Sequence, residues 1–129
     1  MRQQTTADAD LVERIIVAAE TVHGTLGPGL RQSSYDICLG MELDKAGIAF
    51  QRNVPVPLIY HGAELGRFYA DMVVGGEVTV TIKSIDEILP YHHRQVFTYT
   101  KLGGCRAGLI LNFNTVHLRD GLWRCCPAS

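Results

Sequence analysis

Near Gly47 the spacing of apolar residues changes from three-and-four to two, and this divides the chain into a helical part and a sheet part. Before that point, Leu11, Ile15, Ala18, Ala19 and Val22 mark one buried helical face. They predict a helix from Asp8 to about Leu26, with Asp8 or Asp10 placed to cap its start. The run Gly24-Thr-Leu-Gly-Pro-Gly29 ends it, because a proline between glycines does not continue a helix cheaply. A second helix is predicted from about Arg31 to Ala46, with Tyr35, Leu39, Leu43 and Ala46 on one face and Gly47 closing it.

Beyond Gly47, Val54, Val56, Leu58 and Tyr60 alternate along a strand whose Pro55 and Pro57 suit a sheet edge. His61-Gly62-Ala63-Glu64 makes a turn, and Phe68 to Val74 and Val78 to Lys83 then read as a hairpin. A two-residue loop at Gly75-Gly76 sets Met72 against Thr79 and Ala70 against Thr81, mixing apolar with polar on both faces. A three-residue loop from Gly75 to Glu77 pairs Val74 with Val78, Met72 with Val80 and Ala70 with Ile82, giving one apolar face. The second register is expected, and it sets Asp71 opposite Thr81 with Lys83 on the same face. Pro90 suits the first turn of a third helix running to about Leu102, where Gly103-Gly104 ends it. Gln95 and Tyr99, four apart, share a face of that helix. Ala107 to Phe113 reads as a buried strand, and Val116 to Arg119 as a short final one.

A chain of 129 residues, 47% hydrophobic, supports one core, so a single domain over residues 1–129 is expected. Twelve Lys plus Arg against thirteen Asp plus Glu exclude a global positive field, so any nucleic-acid contact must come from a local patch. The N-terminus lacks the apolar core of a secretory signal, and no apolar run approaches the roughly 18 to 20 residues that span a bilayer. The expectation is a cytoplasmic protein without a membrane partner and with reduced cysteines. Cys38 and Cys105 read as small core residues, and Cys125 and Cys126 as tail thiols. His92 and His93, at the start of the third helix, read as surface residues, and His23, His61 and His117 are isolated in sequence. No GxSxG, HExxH or P-loop pattern occurs, and Gly24 to Gly29 follows a helix, which is the wrong context for a phosphate cradle.

The order helix, helix, strand, hairpin, helix, strand carries a set of motifs in sequence. They are Leu26-Gly-Pro-Gly-Leu-Arg-Gln-Ser-Ser-Tyr35, Met41-Glu42-Leu43, Phe68-Tyr-Ala-Asp71, Val80-Thr-Ile-Lys83, Gln95-Val-Phe-Thr-Tyr99 and Gly108-Leu-Ile-Leu-Asn-Phe113. In order and spacing they resemble the PD-(D/E)XK nuclease superfamily, and most closely its GxxExxY family. The resemblance covers roughly residues 10 to 119 and leaves 120–129 as a tail. It implies an α/β (α+β) fold with a restriction-endonuclease-like core, a mixed sheet flanked by helices. It also implies metal-assisted phosphodiester cleavage, in which clustered carboxylates hold Mg²⁺ or Mn²⁺ and a lysine orients water or stabilises the phosphate. Asp71 and Lys83 stand at the matching positions, and Gln95 and Tyr99 resemble the QxxxY pair that supports the site and the nucleic acid.

Two expected acids are replaced. Thr81 stands at the ExK glutamate and Gln32 at the glutamate of GxxExxY. Asp71, with the Ile82 carbonyl, is left as the metal ligand, so no tightly bound cofactor is expected. Candidates for a relocated acid are Glu42 first, then Glu77, Asp86 and Glu87. The resemblance therefore predicts a catalytically degenerate nuclease-like protein acting as a binding or assembly module. Such a module has either a DNA or RNA groove lined by Arg52, Arg67, Lys83, Arg94 and Lys101, or self-association through its edge strand into a homo-oligomer. The alternative is an active Mg- or Mn-dependent nuclease with a relocated or reduced acidic site.

Overall fold

The computed structural model describes residues 6–127, with side chains from Asp10 onward. Two helices open the chain, α1 (Thr6–Leu26) and α2 (Gln32–Lys45). They are followed by strands β1 (Phe50–Tyr60), β2 (Ala63–Val74) and β3 (Val78–Lys83), helix α3 (Pro90–Leu102), strand β4 (Ala107–Asn112), a 3-10 turn (Leu118–Gly121) and strand β5 (Leu122–Cys125). The strands form one mixed sheet in the order β1-β2-β3-β4-β5, antiparallel except for the parallel β3–β4 pair that α3 connects. Among the described residues no helix is long and apolar enough to cross a membrane.

The register assigns each face its cover. Val78, Val80 and Ile82 pair with Ala107, Leu109 and Leu111, and these six pack with Val12, Ile15, Ala19, Leu39 and Leu43 of α1 and α2 in the main core. Thr79, Thr81 and Lys83, paired with Gly108, Ile110 and Asn112, face the other way, toward α3. There Gly108 lies so close under Thr100 that a Cβ would collide with its Oγ1. Lacking a side chain, Gly108 lets α3 settle directly on the sheet. The result is a mixed sheet flanked by three helices, two on one face and one on the other.

The hairpin takes the three-residue loop, with Val74 opposite Val78, Val73 opposite Thr79 and Met72 opposite Val80. Gly75 and Gly76 both adopt positive φ there, which a side chain disfavours. The expected next pairs, Asp71–Thr81 and Ala70–Ile82, do not join the ladder, because β2 turns away beyond Met72. Its even-numbered side chains face the α1–α2 core at Met72 but face α3 at Phe68, which stacks on Tyr99 at 3.7 Å. Opposite this roll, Asn53 of β1 has φ 52°, a left-handed conformation that Asn tolerates better than most residues.

β1 lies at the sheet edge, as its two prolines require. The β1–β2 turn is His61-Gly62, both with positive φ, so β2 begins at Ala63, before the Phe68 expected from its apolar run. Helix α1 begins at Thr6, which puts Asp8 and Asp10 inside it rather than at its cap; the Asp8 side chain lies outside those described. The final strand is Leu122–Cys125, not Val116 to Arg119, and residues read as tail thus close the sheet through Ile110–Trp123 and Gly108–Cys125. Cys38 packs, partly buried, against the core, whereas Cys105 is half-buried outside the core cluster rather than the core residue expected. His92 is buried rather than at the surface, and His93 stacks on Trp123 at 4.5 Å.

Candidate functional site at the hairpin fork

Where β2 leaves β3, the Asp71 carboxylate takes the place of a ladder partner. Its Oδ2 accepts the Ile82 backbone N–H at 3.3 Å. Burial pushes the Asp71 carboxyl above the ordinary carboxylate range. The Ile82 N–H and the Lys83 ammonium pull it down, and the neighbouring Asp36 carboxylate adds to the upward push. The fork thus gathers Asp71, Lys83 and, from α2, Asp36. Thr81 sits between them in sequence, half-buried on the α3 face beside Ile110.

Asp36 was not among the acids singled out from sequence, yet it lines one cavity of about 460 Å³ with Gln32, Ser33, Ile37, Arg52, Asn53 and Asp71. Gln32 and Asp36, one helical turn apart, share the α2 face that meets the fork. Arg52, expected in a nucleic-acid groove, is exposed and bonded to α2. Its Nε donates to Asp36 Oδ1 and its Nη2 to the Asp36 carbonyl at 3.0 Å, and its guanidinium lies 4.9 Å over the Phe50 ring.

The start of α2 is held from two sides. Tyr35, fully buried and stacked on Phe113 at 4.4 Å, donates its hydroxyl proton to the Gly27 carbonyl at 2.6 Å and accepts the Leu30 N–H at 3.1 Å. Ser84, just after Lys83, donates to the Leu30 carbonyl at 2.6 Å. The motif tyrosine is therefore a clamp that fixes the loop before Gln32, and Ser84 ties that loop to the end of β3. His23, isolated in sequence, joins the same region through a 2.7 Å contact of its Nε2 with the Thr115 carbonyl.

On the α3 side, Gln95 Nε2 donates to Tyr99 Oη at 3.0 Å, so these two residues form the pair their spacing suggested. His92, one turn earlier, accepts the Leu89 N–H on Nδ1 at 2.8 Å, which leaves any ring proton on Nε2. Burial first, then the Lys83 and His93 charges, lower its pKa. Arg94 and Lys101 are exposed on α3. Arg67 pairs with Glu64 at 3.1 Å on the projecting β1–β2 arm.

The four candidate relocated acids stand elsewhere. Glu42 lies along the α1–α2 groove and pairs with Lys45 at 3.8 Å. Glu77 pairs with Arg106 at 3.5 Å beside the hairpin loop. Asp86 and Glu87 line a different cavity, with His93, Asp120 and Trp123. Among the described residues, no three His, Cys, Asp or Glu side chains converge as a metal-holding group.

A family model of the PD-(D/E)XK nuclease superfamily matches residues 9–125, which includes β5. No curated protein and no solved structure shows significant similarity to the chain. The match spans nearly the whole fold, and the chain belongs to the PD-(D/E)XK nuclease superfamily.

Proposed function

We propose that this protein is a GxxExxY-type member of the superfamily whose metal site has fallen below what efficient phosphodiester cleavage needs, and that it binds DNA or RNA without cutting it. The supporting observation is the donor set at the fork. Mg²⁺ and Mn²⁺ need clustered hard oxygens with carboxylates among them. Here Asp71 has Thr81 where the family's second acid belongs and Gln32 where its helical glutamate belongs, while Asp36 is already bonded to Arg52. These residues do not fit a firmly held divalent ion. Asp71, Lys83, Gln95 and Tyr99 then form a vestigial site.

The β1 edge favours binding over self-assembly through that strand. Pro55 and Pro57 remove two donors from β1, which blunts the strand against pairing with a second copy. Exposed Arg94 and Lys101, seven residues apart and so nearly on one face of α3, offer phosphate contacts beside Gln95. With so few cations the binding is weak, and its salt dependence corresponds to few phosphates.

A working nuclease is favoured by one observation, the cavity that Asp36 and Asp71 line together, which makes Asp36 the acid that such an enzyme would use. Incubation of labelled single- and double-stranded DNA and RNA with Mg²⁺ or Mn²⁺ separates the two readings, with Asp71→Ala as the control. The expected result is gel retardation that persists in chelator and no cleavage above that control. Cleavage abolished by Asp71→Ala would replace this proposal with the active enzyme.

A further inference from the structure

We propose that Arg52 is the resident cation of this site, seated so that Asp36 cannot join Asp71 in holding a divalent ion. The inference rests on the reading of a reduced metal site and explains that reduction by more than missing ligands. A guanidinium is always charged and carries its donors in a fixed fork. This one has a built seat with three contributions. Asp36 receives Nε on its carboxylate and Nη2 on its own backbone carbonyl. The Phe50 ring lies under the guanidinium carbon at 4.9 Å, a cation–π contact. Gly40, one turn after Asp36 and so on the same helix face, supplies the floor. A Cβ at Gly40 would collide with Arg52 Nη2 and stand 3.0 Å from Phe50 Cζ.

An exposed ion pair without such support is loose and contributes little. A guanidinium fixed by a carboxylate, a carbonyl, an aromatic ring and a bare glycine is instead a persistent charge. It occupies Oδ1 of the cavity's second acid, and its charge opposes a metal ion at the other carboxylate oxygen. The rest of the lining is chemically suited to a cation, since Gln32 and Asn53 add amide oxygens to the two carboxylates. Asp36 and Asp71 line that same cavity, so the two carboxylates are the acids a cation seated there would meet. In this chain the cation that meets them is Arg52, hydrogen-bonded to Asp36.

Mn²⁺ binding to the full chain, followed by loss of the free-ion signal in electron paramagnetic resonance, tests this without reference to activity. Taking a full positive charge away from within a few ångströms is worth at least about tenfold in cation affinity. Arg52→Gln is therefore expected to bind Mn²⁺ at least about tenfold more tightly than the unmodified chain. Gly40→Ala, which dislodges the guanidinium while keeping it in the chain, should shift affinity in the same direction. Adding Asp36→Asn to Arg52→Gln should cancel the gain. Circular dichroism identifies any variant that has failed to fold, and the other variant then carries the test. Binding no tighter in either folded variant, or a gain that survives Asp36→Asn, would overturn the inference. Cleavage by the unmodified chain would overturn the reading of a reduced site. A chain that stays inactive and gains no Mn²⁺ affinity on losing Arg52 would overturn this inference alone.

Discussion

Replacing Tyr35 by Phe keeps the buried ring and its stack on Phe113 and removes the hydroxyl that joins Gly27 to Leu30. Two hydrogen bonds are lost, each contributing about 1 kcal/mol net, at a loop where water reaches part of the freed backbone, so the cost is about 1–2 kcal/mol. For a chain of this length that corresponds to a fall in Tm of roughly 3–8 °C. Urea unfolding followed by the fluorescence of Trp123, the single tryptophan, should show a lower midpoint with an unchanged slope. The comparison that gives this meaning is Tyr99→Phe. Tyr99 is partly exposed and, among the described residues, its hydroxyl bonds to the exposed Gln95, so its loss should stay within about 0.5 kcal/mol. Equal costs, or a larger one at Tyr99, would refute the assignment of Tyr35 as the structural clamp.

Asp71→Asn should raise Tm near neutral pH. The folded state holds the Asp71 carboxyl above its ordinary pKa, so its ionised form is a net cost there, and an amide oxygen can still accept the Ile82 N–H. A lower Tm in calorimetry would contradict this. His92 has the opposite pH signature. Its folded pKa lies below the unfolded value, so the unfolded chain binds more protons and stability falls as pH drops below about 6.5. His92→Gln keeps an acceptor for the Leu89 N–H, and unfolding between pH 7 and 5 should then show a shallower decline. Gly108→Ala should cost about 1–3 kcal/mol in urea unfolding, because the added methyl group forces Thr100 and Cys125 off the β4 surface.

Much of the fold was legible because local chemistry and burial agreed. Gly75-Gly76 and the matching apolar sets on either side selected one register, and Pro55 and Pro57 placed β1 at the edge. The fork was not legible. The pairing rule carried the ladder on to Asp71–Thr81, but β2 turns with Phe68 onto α3, a tertiary contact that no strand periodicity contains. Strand β5 was missed for a related reason: four residues carry too little alternation, and pairing with β4 makes them a strand. Of the proposed site, Asp71, Lys83, Gln95 and Tyr99 were visible as motif positions. Asp36 was visible only as the residue one turn after Gln32, and its role depends on Arg52 arriving from β1. Glu42 looked promising by position in the motif, but it faces the α1–α2 groove, since ten residues of helix carry it nearly three turns from Gln32.

The most direct measurement is metal-dependent cleavage of labelled DNA and RNA by Thr81→Glu, alone and with Gln32→Glu, beside the unmodified chain. Silence in the unmodified chain with cleavage gained by Thr81→Glu, and raised further by Gln32→Glu, is the expected result. That outcome identifies an intact scaffold disarmed at these positions. Metal-dependent cleavage already present in the unmodified chain, abolished by Asp71→Ala and not increased by Thr81→Glu, would contradict the proposal of a reduced site.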